Sequence, residues 1–154
     1  MSLIEKLKIL ILPLIMFPTN AMATSSVKVD GEFNKNQISC LAKNAYYEAR
    51  NQPFEGKVAV MQVVMNRTQI PKFKANTPCR VIYSKDSGKC QFSWVCTRNK
   101  PVTGQDYLEL ERIARLVYTR ELPDNTNGSV YFHVKRINYN CSHKKVIKDH
   151  VFCR

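Results

Sequence analysis

Glu48 and Glu55 stand seven residues apart in the stretch AYYEARNQPFEGKVAVMQVVMNR, Ala45–Arg67. A glutamate held neutral at working pH is a general acid: it gives its proton to a leaving oxygen and can then act as a base. Whether either residue is placed for that work depends on the elements that carry it. Pro53 cannot lie inside a helix without breaking it, so Asn51–Pro53 reads as a turn between two helices. Upstream, Ile38, Leu41, Ala42, Ala45 and Ala49 recur at three- and four-residue spacing, with Asn36 as a candidate cap. Downstream, Phe54, Val58, Met61 and Met65 form an apolar row widened by Val60 and Val64, which predicts a mostly buried helix from Phe54 to about Gln69. Glu55 opens that second helix, where the positive end of the helix dipole favours a carboxylate, so its charge has a sufficient structural reason. Glu48 closes the first helix, the wrong end for a negative charge. If it is also buried against Tyr46 or Tyr47, its ionised form is disfavoured. Glu48 is therefore the candidate acid, and an exposed helix-end glutamate is the plain alternative.

The rest of the chain must position that residue. Residues 70–104 contain three prolines and three cysteines without sustained periodicity. A segment that long and irregular is unusual in a compact domain unless it is functional or stapled. A third helix is predicted from Gly104 to Arg120, with Leu110, Ile113, Ala114 and Val117 inward. DNTNG at Asp124–Gly128 reads as a turn, SVYFHV alternates like a short strand, and VIKDHVFCR reads as one further strand. The expected fold class is α+β and helix-dominated, with a loop-rich face.

The beginning of the chain has the three parts of a secretory signal: two lysines before residue 9, the apolar run ILILPLIMF, and small residues at Ala21–Ala23. The apolar run is short for a membrane span of about 20 residues and Pro13 interrupts it. Cleavage near Ala23 would leave 131 residues in a secreted or periplasmic protein, with residues 24–35 as a polar, flexible lead-in. All six cysteines, Cys40, Cys79, Cys90, Cys96, Cys141 and Cys153, fall in that part. An even number after a signal points to disulfides, with 15 pairings open. Zinc would need paired ligand spacings, and Cys90 and Cys96 are not followed by a matching histidine pair. Without the first 23 residues, 22 basic and 11 acidic side chains remain, scattered rather than gathered in one tract. Such a surface seeks a polyanion. For a secreted protein that is an anionic lipid or wall polymer rather than a specific nucleic acid. The expected state is a monomer.

In order along the chain, CLAKNAYYEAR, PFEGKVAVMQVVMNR, CQFSWVC, DNTNGSVYFHV and HVFCR resemble the SleB-type cell wall hydrolases, typified by spore cortex-lytic enzymes. The resemblance covers about Ile38 to Arg154 and makes residues 36–154 the catalytic domain. It implies a lysozyme-like fold of the lytic transglycosylase kind, with a short β region and a stapled loop. It also implies action on the glycan strands of peptidoglycan, with no cofactor or metal. The family's catalytic glutamate, in its EAR motif, falls on Glu48. Where the family often has another glutamate soon after, this chain has Gln52. Flat sugars need apolar faces beside polar groups, so the expected substrate contacts are Tyr47, Gln91, Phe92, Ser93, Trp94, Tyr131 and His133. Burial in the core is the competing reading for Phe92 and Trp94. Asn66 is expected to brace the site or cap a helix.

Two rivals differ in class. A hydrolytic muramidase would add a second carboxylate, for which Asp124 is the candidate, although an aspartate that forms a turn is the simpler reading. A cationic protein that binds walls or membranes would need no catalytic group. A nuclease would suit the charge and His133, His143 and His150, but no metal-binding carboxylate cluster is recognisable.

Overall fold

The computed structural model describes residues 24–97 and 101–154. The expected signal segment, 1–23, lies outside the described residues. The first helix, α1, spans Thr24–Ala49, so residues 24–35 are helical rather than a flexible lead-in. The segment contains no proline to stop the helix. Its partners also come from elsewhere in the chain. The Tyr118 hydroxyl donates to Asn34 Oδ1 at 3.0 Å, and the Cys79 amide donates to the buried Gln37 side chain at 3.0 Å. Asn36 lies inside this helix and caps nothing.

After the turn at Pro53 the chain enters α2, Phe54–Arg67. A Cβ at Gly56 would lie 2.9 Å from Gln52 Cβ, so the tight passage from α1 into α2 needs glycine there. α2 buries Val58, Ala59, Val60, Met61, Val63 and Val64, an apolar arc broad enough to serve both of the protein's cores. The segment expected to be irregular is built from short pieces. A 3₁₀ turn at Pro71–Phe73 is followed by α3 at Pro78–Tyr83, the hairpin β1 (Lys85–Asp86) and β2 (Lys89–Cys90), and α4 at Ser93–Thr97. Thr77 caps α3 and Pro78 opens it, a favoured pairing at a helix start. α5, Gln105–Tyr118, packs along α1 and buries Leu110, Ile113, Ala114 and Val117, the four residues its periodicity pointed inward.

The chain closes in an antiparallel sheet ordered β3 (Tyr131–Val134), β5 (His150–Cys153), β4 (Lys145–Ile147). VIKDHVFCR therefore holds two strands rather than one, folded back at Lys148 and Asp149. The register aligns Tyr131 with Cys153, Phe132 with Phe152 and Lys145, and His133 with Val151 and Val146. Because side chains alternate, Phe132, Phe152 and Ile147 share one face and pack against Val60 and Val63 of α2. Tyr131, His133, Val151 and Val146 share the other. Disulfides join Cys40 to Cys79, Cys90 to Cys96 and Cys141 to Cys153, so all six cysteines are paired. No helix among the described residues is long and apolar enough to cross a membrane.

Candidate active site

Glu48 lies in the last turn of α1 and is half-buried. Burial pushes its carboxyl above the usual glutamate range, and the positive charge of Arg67 partly opposes the shift. Neighbouring aromatics brace the helix end. The Tyr46 and Tyr47 rings meet edge to face at 5.6 Å, and the Arg50 guanidinium lies 4.9 Å from the Tyr46 ring. Tyr47 stacks on Trp94 with centroids 4.7 Å apart and planes 17° from parallel.

That stack favours the core reading for the two aromatics of the CQFSWVC loop. Trp94 is only 3% exposed and Phe92 only 4%, and both belong to the main core. The Trp94 indole N–H donates to Asn44 Oδ1 at 2.9 Å, which satisfies its one polar group inside the protein. A sugar platform needs an open face, and Tyr47 covers one face of Trp94 while the edge of Tyr83 approaches it at 5.9 Å. Trp94 turns inward against α1, and Phe92 lies beside Arg67 of α2 and Phe132 of β3. Tyr47 is half-buried, as is Gln91, and Ser93 is exposed.

Arg67, the last residue of α2, is the residue that sequence reasoning missed. It is 6% exposed, and its guanidinium lies 5.1 Å from the Phe73 ring, 5.4 Å from Phe92 and 5.7 Å from Tyr131. Its Nε donates to Val130 O at 2.7 Å, while one buried terminal nitrogen, Nη1, has no hydrogen-bond partner in the protein. Burial pushes its pKa down to about 10, with Tyr131 and Glu48 pulling the other way. It remains a cation at neutral pH. A signal did exist: Arg67 continues the row Val60–Val64 of the buried helix, a position where a charge needs a reason.

Tyr131 joins this group from β3, its hydroxyl accepting a bond from Lys72 Nζ at 3.0 Å. His133, two residues on, shares its sheet face. Its Nδ1 lies 3.0 Å from Val134 O, its ring meets Tyr139 at 5.9 Å, and its buried Nε2 is unpaired. The structure thus couples Glu48, Arg67 and Tyr131 and sets Tyr47 beside Glu48 in the chain, and no hydrogen bond or ion pair joins Glu48 to Gln91, Ser93 or His133 among the described residues.

Asp124 is fully engaged as a turn residue. Its carboxylate accepts from the Thr126 amide at 2.8 Å, the Thr126 hydroxyl at 2.6 Å, the Gly128 amide at 2.7 Å and Asn66 Nδ2 at 3.0 Å. Burial pushes its pKa up, but these hydrogen bonds outweigh it and hold the carboxyl below the usual range. It borders a hollow with Gln62, Met65 and Gln69, of which Glu48 is not part. Asn66 also donates to Thr126 Oγ1 and Ser129 O, so it pins α2 to this turn rather than capping a helix. Glu55 is exposed in the first turn of α2, as its dipole argument requires. Gln52 donates to Asp149 Oδ2 at 3.2 Å, a partner that a glutamate there would repel. The one His/Cys/Asp/Glu group close enough to suit a metal among the described residues is His133 with Cys141 and Cys153, but the two sulfurs are bonded to each other.

The profile of the cell wall hydrolase family matches residues 51–153. The chain belongs to that family. The matched region begins just after Glu48. Among curated relatives, the spore cortex-lytic enzyme of Bacillus subtilis is 40% identical over 58 residues, 38% of this chain and 19% of that protein. The spore cortex-lytic enzyme of Oceanobacillus iheyensis is 46% identical over 44 residues, 29% of this chain and 16% of that protein. The matched stretches thus span less than a fifth of these relatives' length. The catalytic domain of the germination-specific lytic transglycosylase SleB from Bacillus anthracis superposes with a TM-score of 0.61 at 27% identity, covering 77% of this chain and 94% of that one. The SleB catalytic domain of Bacillus cereus gives the same TM-score at 21% identity over 77% of this chain and 90% of that one, a likeness of fold. The fold is lysozyme-like, of the SleB kind.

Proposed function

We propose that this protein cleaves the glycan strands of peptidoglycan between N-acetylmuramic acid and N-acetylglucosamine, as a lytic transglycosylase with Glu48 as its acid and base. The observation that carries the reading is the half-buried Glu48 carboxyl, held toward its protonated form at the end of α1 beside the buried Arg67. The SleB-like fold and the family membership support it. Protonated Glu48 gives its proton to the glycosidic oxygen, and the bond from that oxygen to the muramic C1 breaks. The substrate's N-acetyl group shields the positive charge left on the ring. The Glu48 carboxylate then takes the proton of the muramic 6-hydroxyl as its oxygen bonds to C1, which closes the 1,6-anhydro ring and restores the acid. One carboxyl serves both steps. Arg67 steadies the carboxylate between them. Tyr47, Gln91, Ser93, Tyr131 and His133 are the proposed sugar contacts, with Phe92 and Trp94 supporting them from the core. The hydrogen-bond saturation of Asp124 argues against a water-activating role. The protein would act as a monomer, secreted or periplasmic after cleavage near Ala23, on an anionic wall.

The test is digestion of purified peptidoglycan by the oxidised protein, Glu48→Gln and Asp124→Asn, with products identified by mass spectrometry. Anhydro-muramic ends should form with the parent and with Asp124→Asn, and Glu48→Gln should be slower by roughly 10²–10⁴-fold. Reducing muramic ends, lost in Asp124→Asn, would make it a hydrolase. Undiminished products from Glu48→Gln would remove Glu48 from the chemistry.

A further inference from the structure

We propose that the connection from β3 to β4, together with β4 itself, is an anchor that seats the protein on an anionic lipid bilayer. Residues 135–148, KRINYNCSHKKVIK, hold five lysines and arginines, one histidine and no acid. Within this basic stretch three large apolar side chains point outward: Ile137 is 51% exposed, Tyr139 52% and Val146 54%. Tyr139 lies against His133, and Val146 is the exposed residue of β4. Lys135, Arg136 and Lys144 are exposed along this stretch, whereas Lys145 lies on the opposite face of the sheet and Lys148 donates to Asn51 O at 3.1 Å.

The combination selects the partner. A hydrated polyanion would be held by the cations alone and would give no return for exposed isoleucine, tyrosine and valine. A bilayer interface rewards both: anionic headgroups attract the lysines and arginines, and the boundary layer accepts the apolar side chains, with tyrosine suited to that depth. The segment is also set before binding. Cys141 is bonded to Cys153, Ser142 and Arg154 exchange two backbone hydrogen bonds of 3.3 and 3.1 Å, and the Ile137 amide donates to Val134 O at 3.0 Å. Little ordering entropy remains to be lost on docking. The inference does not depend on the reaction assigned to Glu48.

Co-sedimentation of the oxidised protein with vesicles tests it, using 3:1 phosphatidylcholine–phosphatidylglycerol against pure phosphatidylcholine, and polyphosphate as a soluble polyanion. The protein should prefer the anionic vesicles. Arg136→Gln/Lys144→Gln should weaken that binding by roughly 25-fold, about fivefold per charge. Ile137→Ser/Val146→Ser should weaken vesicle binding by roughly tenfold or more and leave polyphosphate binding unchanged. Exposed positions make both variants safe for folding, which a thermal melt checks. Vesicle binding unchanged by Ile137→Ser/Val146→Ser would overturn the proposal and assign adhesion to charge alone or to another segment. Equal binding to both vesicle types would overturn it as well.

Discussion

Burial holds Glu48 toward its protonated form, and that ties the stability of the fold to pH. Its folded pKa lies above the ordinary value of 4.5. Across the window from 4.5 to the raised value, the native protein binds more protons than the unfolded chain. Stability is therefore complete below the window, falls as pH rises through it and stays lower above. Glu48→Gln removes this term. The variant should melt above the parent at pH 8, with the gap narrowing toward pH 4, in thermal scans followed by circular dichroism. Arg67 opposes the same shift, so Arg67→Met should raise the Glu48 pKa further and move the alkaline limb of the activity profile to higher pH. Its kcat should drop by roughly tenfold or more as the carboxylate loses its partner. Rates on soluble glycan fragments across pH check both. Glu48 was readable from sequence because a carboxylate at a helix C-terminus lacks a structural reason. Arg67 was harder to read, because Phe73, Phe92 and Tyr131 come to it from three separate segments and no local pattern announces their meeting.

Among the elements, α2 sets the site in place, and Asn66 joins it to the DNTNG turn through three hydrogen bonds from one amide nitrogen. Asn66→Ala should destabilise the protein by about 1–3 kcal/mol, because it strips partners from a part-buried turn. In urea the midpoint should fall with little change in slope. The long helices were legible from three- and four-residue spacing, and α5 buries the four residues expected. Length explains what was not legible. α3 and α4, with six and five residues, complete too few turns to show a period. Residues 31–36 of α1 are exposed and largely polar, so composition suggested a flexible lead-in where the Tyr118–Asn34 contact, and Cys79–Gln37 just beyond, support a helix. For Trp94 the sequence left groove and core open, because only the three-dimensional position of Asn44 shows where its N–H is satisfied.

For the molecule as a whole, the covalent links differ in reach. Cys40 and Cys79 are 39 residues apart, against 6 for Cys90–Cys96 and 12 for Cys141–Cys153. By loop-closure entropy the first is worth about 4 kcal/mol and the shortest about 2. Cys40→Ala/Cys79→Ala should therefore lower stability more than Cys90→Ala/Cys96→Ala, in denaturation curves run without reductant. Two links stay within the helices and their loops, and the third within the sheet region. None crosses between the two. The seam is held by Arg67 to Val130, Gln52 to Asp149, Lys148 to Asn51 and the packing of Phe132 and Phe152 on α2. Pulled from its two ends, the oxidised chain should part first along this seam. The sheet would peel away with β4 and β5 still tied by Cys141–Cys153 while the helices stayed laced together, so the weakest mechanical joint runs beside Arg67 and the proposed acid Glu48.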